Sequence, residues 1–129
     1  MTAPSTRDDT TPAATTLDAA SLARLRELDP DGRTGVVQRV MRTFDTSLTQ
    51  ALGALALAGE RGDTIELRRL AHTLKSSSAS VGALELSRAC AQLETLARDN
   101  RTVDIPAILA ELLVAGASAQ HAVRALLRS

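Results

Sequence analysis

Apolar residues along this chain recur at spacings of three and four, which is the period of helices packed on one side. Between Thr34 and Gly59 the series Val37, Val40, Met41, Phe44, Leu48, Leu52 and Leu55 marks one face of a long helix. A second stripe runs through Leu67, Leu70, Ala71, Leu74, Ser78 and Val81. Asp63, with Glu66 three residues on, supplies a capping-box-like start for it, and Gly82 a stop. Leu86, Ala89, Cys90, Leu93, Leu96 and Ala97 define the next helix, which Asn100 closes. The last one, with Asp104 as cap and Pro106 in its first turn, follows Ile108, Leu109, Leu112, Ala119, Val123 and Leu126. A shorter helix leads them: Asp18 is its N-cap, Leu17 and Leu22 form a hydrophobic staple, and the turn residues Asp29-Pro30-Asp31-Gly32 end it. Period-two alternation is missing over any useful length, so no strands are expected. The pattern predicts an all-α fold, an antiparallel four-helix bundle with a short additional N-terminal helix. Residues 1–16, rich in Thr, Ala, Pro and Ser, read as a disordered tail ahead of a bundle domain over 17–129.

Composition narrows the function classes. In 129 residues there is one Phe and no Trp or Tyr, so base stacking on aromatic rings is excluded and the core must be aliphatic. Lys plus Arg and Asp plus Glu both number 15, which gives no global field to recruit nucleic acid or an anionic membrane. Cys90, the single cysteine, excludes an internal disulfide and a thiolate metal cluster, and reads as a small buried hydrophobe. Neither a signal peptide nor a run apolar enough to span a bilayer is apparent, so a cytoplasmic protein is expected. The two histidines lack the Glu-x-x-His pairs that di-iron bundles use.

One histidine breaks the amphipathic pattern. At about 100° per residue, His72 lies roughly 150° from the centre of its helix's apolar stripe and faces solvent. Arg68, Arg69, Ser76 and Ala79 share that side, Lys75 flanks it, and the helix itself brings no carboxylate near the ring. Cationic neighbours favour a neutral imidazole with a nucleophilic nitrogen, and the small side chains of Ser76 and Ala79 leave room for another protein. Lys75 is placed to neutralise an anion on the ring. Of the nearby serines, Ser78 falls on the buried stripe, where its hydroxyl is expected to bond the Leu74 carbonyl. His121, beside the apolar stripe of the last helix and without this company, reads as structural.

The stretch AHTLKSSSASVGA, from Ala71 to Ala83, resembles the signature of histidine-containing phosphotransfer (HPt) domains. His72, Leu74, Lys75 and Gly82 match it, and Ser76 stands where many members have glycine. The resemblance implies a phosphorelay intermediate, one that accepts a phosphoryl group on histidine from a receiver-domain aspartate and passes it to another receiver. Its partners would be the receiver domains of a hybrid histidine kinase and of a response regulator. It would have no autokinase activity, and no cofactor beyond Mg²⁺ in the partner receiver. His72 would be the nucleophile through Nε2, Lys75 the charge stabiliser, and Arg68, Arg69, Ser76 and Ala79 the docking surface. A monomer without nucleic-acid or membrane partners is expected. Two rivals remain: the dimerising helical domain of sensor kinases, whose motif has an acidic residue after the histidine where Thr73 stands here, and an adaptor bundle that binds without carrying phosphate.

Overall fold

The computed structural model of the chain describes residues 17–128. Within them are five helices: α1 (Ala19–Arg26), α2 (Val36–Arg61), α3 (Thr64–Ser80), α4 (Leu84–Arg98) and α5 (Ile105–Arg128). No strand occurs among the described residues. Helices α2 to α5 form the antiparallel bundle, each joined to the next by a short turn, and α2 also packs on α5 to close it. The core is aliphatic apart from Phe44 and the sulfurs of Met41 and Cys90, and its largest fully buried members are Met41, Leu48, Leu55, Leu67, Leu86, Leu93, Leu112 and Val123. The expected tail, residues 1–16, lies outside the described residues.

Local chemistry sets the helix ends. Asp18 caps α1 by accepting from Ser21 N at 2.9 Å and Ser21 Oγ at 2.8 Å. Its own amide donates to Gly82 O at 2.8 Å, tying the entry of α1 to the α3–α4 turn. Gly82 adopts φ +85°, and a Cβ there would sit 2.9 Å from Asp18 N, so glycine is required both by the backbone and by the space. Helix α2 begins at Val36 rather than Thr34, because the capping side chain comes from the preceding turn: buried Asp29 accepts from Thr34 N, Gly35 N and Val36 N. Asp63 caps α3 through Glu66 N as expected, but Glu66 turns to Arg69 instead of completing the box. Asp104 likewise receives Arg101 at 2.8 Å.

Two other expectations need correction. Ser78 is fully buried, but Ser77 Oγ takes the Leu74 carbonyl at 3.2 Å and the Ser78 hydroxyl has no hydrogen-bond partner. Helix α5, with 24 residues and a mean hydropathy of 1.2 over its most apolar window, does reach the length and composition of a membrane span. Its many alanines raise that average all round the helix, while Ile105, Leu109, Leu112, Ala119 and Val123 turn inward to the bundle core.

Candidate phosphoacceptor site

The surface of the α3–α4 pair carries the site. His72 stands on α3 with its side chain 66% exposed, because the core stripe of Leu67, Ala71, Leu74 and Ser78 turns the other side of the helix inward. Helix α4 runs antiparallel beside it and brings Glu94 up to the ring from 22 residues away. His72 Nδ1 lies 2.7 Å from Glu94 Oε2, and Lys75 Nζ donates to Glu94 Oε1 at 2.7 Å. One carboxylate thus holds both the imidazole and the ammonium. Ser87, seven residues before Glu94 and on the same side of α4, donates its hydroxyl to the Lys75 carbonyl at 2.9 Å and fastens the two helices one turn further on.

Electrostatics then fix the ring. The Lys75 ammonium hydrogen-bonded to Glu94 holds its carboxyl below the usual carboxylate range; partial burial pushes the other way, and the His72 hydrogen bond adds to the lowering. An ionised carboxylate only accepts, so the proton of the neutral imidazole sits on Nδ1. Nε2 is left with its lone pair. The sequence placed the ring among cations alone; in the fold an anion touches it, and Arg69 is engaged by Glu66 at 2.9 and 2.6 Å. Cys90 is buried behind the pair, and burial, with a smaller contribution from Glu94, pushes its thiol up to about 12, so it stays protonated and inert.

Of the other residues singled out in the sequence, Arg68, Ser76 and Ala79 are exposed on the His72 side of α3. Ile65, seven residues before His72 and so on the same side, is 81% exposed and extends that surface with an apolar group the sequence reading passed over. Towards α2 the surface runs into a groove lined by Val36, Val40, Phe44, Ser77, Ser80 and Val81. His121 is exposed on α5 and is not drawn into the site. Among the described residues no three His, Cys, Asp or Glu side chains converge as a metal site.

Sequence reasoning missed Glu94 because the helical pattern gives each helix's faces but not which neighbour lies against them. The one available signal was that Ser87 and Glu94, a helical repeat apart, sit at the edge of the α4 apolar stripe.

Comparison with known proteins agrees with this geometry. The structure is similar to that of histidine-containing phosphotransfer protein B (HptB) from Pseudomonas aeruginosa PAO1, with a TM-score of 0.78 and 28% sequence identity over 87% of this chain and 94% of that one. No sequence among the curated proteins compared matches significantly. The family profile of the Hpt domain matches residues 37–128, which take in α3, α4, α5 and nearly all of α2. The chain belongs to the Hpt domain family.

Proposed function

We propose that this protein is the carrier step of a multistep phosphorelay: His72 accepts a phosphoryl group from the aspartate of a hybrid kinase's receiver domain and passes it to the receiver of a response regulator. The observation that carries this reading is the exposed His72 ring whose Nδ1 is held by an ionised carboxylate, leaving Nε2 as the free nucleophile. In the accepting step the Nε2 lone pair forms the N–P bond as the P–O bond to the aspartate breaks, and the electron pair leaves on that carboxylate. Phosphoryl transfer asks mainly for alignment and charge neutralisation. Lys75 supplies a cation on this side and the partner's Mg²⁺ supplies the rest. The bundle itself hydrolyses no nucleotide and works as a monomer.

A receiver domain must bring its aspartate onto Nε2, and the small side chains of Ser76 and Ala79 beside His72 permit that approach. Arg68 and Arg69 flank the docking surface, Ile65 offers an apolar contact at one end, and the groove between α2 and α3 offers another. The test is incubation with a phosphorylated receiver, followed by mass measurement. A single phosphoryl adduct, labile in acid and surviving alkali as a phosphoramidate does, is expected on the parent protein and on His121→Gln. His72→Gln should keep its helical fold and accept nothing. A phosphorylated His72→Gln protein, or binding without any adduct on the parent, would refute the carrier role, the second in favour of an adaptor.

A further inference from the structure

Helix α5 is apolar on two sides. Ile105, Leu109, Leu112, Ala119 and Val123 turn into the core, yet only 28% of its most apolar stretch is buried. Its outer side, at Ala107, Ala110, Val114, Ala117 and Ala125, is exposed. Val114 is 66% exposed, and Val103, two residues before the helix, 90%. Towards α4 the same surface runs on into a groove lined by Ala91, Leu96, Ala107 and Ile108. A contiguous apolar surface of this kind marks a place where another molecule binds.

Its polar groups indicate which molecule. Glu111 in the N-terminal half and His121 in the C-terminal half are exposed, and neither has a hydrogen bond or ion pair with another described residue. Against a second α5 running parallel, each would meet its own kind. Against one running antiparallel about a two-fold axis level with Gly116, Glu111 meets His121 of the second copy and His121 meets its Glu111, because each lies five residues from the axis. The same register sets Arg128 over Asp104, the carboxylate that Arg101 holds within the chain. It also sets Val114 over Ser118, Ala110 over Ala122 and Ala107 over Ala125, so no long side chain keeps the helices apart and their axes can approach to about 8 Å. A lipid surface fits less well, since Glu111 lies on the face itself and the large apolar and basic side chains of interfacial helices are missing beside it.

The area sets the strength. A helix of 24 residues is about 36 Å long and presents a strip about 12 Å wide, so pairing covers about 430 Å² of each copy. With the groove the total is near about 1,000 Å², the lower limit for a specific interface, and the association must follow concentration. Helix α5 packs on α2 and α4 and lies diagonally across the bundle from α3, so pairing through its outer face leaves both His72 rings on the far sides of the assembly.

We propose that the chain self-associates through α5, antiparallel and two-fold symmetric, into a two-ended dimer in which each copy keeps its own open His72 and transfers as the monomer does. The proposal goes beyond the carrier reading, and its mass measurements stand without it. Sedimentation equilibrium of the full chain should show the mass rising from one chain toward two, with a Kd on the order of 100 µM. Val114→Lys should weaken pairing about tenfold or more by placing two ammonium groups in the interface. Glu111→Arg should weaken it about tenfold, and adding His121→Glu should restore it to within about twofold by reversing the pair. All three positions are exposed, so the melting temperature of dilute protein should not change. A mass of one chain throughout, an unchanged dimer in Val114→Lys, or a double variant that does not recover would overturn the proposal. Monomeric protein that pellets with phosphatidylglycerol vesicles would overturn it in favour of a lipid surface. Transfer from a phosphorylated receiver should be the same per chain in parent and Val114→Lys, and a loss there at unchanged melting temperature would overturn it by assigning this face to the receiver.

Discussion

Two interhelical bridges in this bundle are built from similar parts and differ in one respect. Between α2 and α5, Asp45 accepts Arg124 Nε through both oxygens at 3.1 Å and Gln120 Nε2 at 3.1 Å. Between α3 and α4, Glu94 accepts Lys75 and His72 at 2.7 Å each. The two carboxylates are similarly sheltered, with side chains 21% and 16% exposed. Each joins two helices and each holds a cation. In the first, the partners of Asp45 are a guanidinium and a side-chain amide, neither of which has a nucleophilic nitrogen lone pair to offer. In the second, the imidazole offers one nitrogen to the bridge and turns the other to solvent. A polar cluster becomes a reactive site when it orients a group without consuming its lone pair. His121, on the same helix as Arg124, has exposure but no such orientation.

The strongest way to break this contrast is to obstruct the open side of His72. Ala79 lies two turns along α3 on the exposed face, and leucine is a good helix former, so Ala79→Leu should leave the melting temperature unchanged. A bulky side chain there should hold a receiver's aspartate off Nε2, and a misplacement of about 1 Å can cost on the order of 100-fold in rate. Ala97, buried in the core at 7% exposure, is the control: Ala97→Leu should lower stability by about 1–3 kcal/mol through overpacking. Normal transfer by Ala79→Leu would mean that the partner approaches His72 from another side.

Removing Lys75 probes the bridge itself. Lys75→Ala should slow transfer about tenfold by removing one charge that offsets the phosphoryl group, measured by single-turnover loading from a phosphorylated receiver. It should also cost about 1 kcal/mol in denaturant unfolding, more than a surface lysine usually does, because Glu94 is left sheltered with His72 as its remaining partner. Unchanged transfer would assign the neutralising role to Arg68 or Arg69.

How much of this was legible differs sharply between fold and site. All five helices, the solvent-facing His72 and the flanking Lys75 follow from periodicity, because each depends on residues within a few turns of one another. Glu94 and Asp29 do not. Glu94 reaches His72 only because α4 is the helix packed beside that edge of α3, and Asp29 caps α2 only because the intervening turn folds back on itself. Ser78 shows a subtler limit: its burial was readable, yet competition with Ser77 for one carbonyl depends on rotamers. Residues that act across the gap between elements need the tertiary fold to be seen.

Acid should expose both of these residues. Burial pushes the Asp29 carboxyl up, but the hydrogen bonds from Thr34, Gly35 and Val36 outweigh it and leave the group below the usual carboxylate range, as Lys75 does for Glu94. A group depressed in the folded state stabilises it fully above the unfolded value, roughly pH 4 to 4.5, and loses that contribution as pH falls through the folded value. The melting temperature should therefore be flat from neutral pH to about 5 and decline below it. Asp29→Asn and Glu94→Gln should each start lower and decline less. A parallel decline in both variants would assign acid sensitivity to other carboxylates.

The smallest expected effect comes from the Asp45 bridge. Arg124 is half-exposed and its pairing with Asp45 is open to water at one edge, so the charges attract weakly and holding the long side chain costs entropy. Arg124→Ala should lower unfolding stability by about 0.5 kcal/mol, partly because Gln120 still satisfies Asp45. Transfer from a phosphorylated receiver should be unchanged, since α5 packs on α2 and α4 and contributes nothing to the His72 ring. Paired with Lys75→Ala, the variant makes the comparison quantitative: two cations removed from two sheltered carboxylates, one with a chemical consequence and one without. A loss of transfer in Arg124→Ala without a matching loss of stability would show that the docking surface reaches round to α5, and that the two bridges are not functionally distinct.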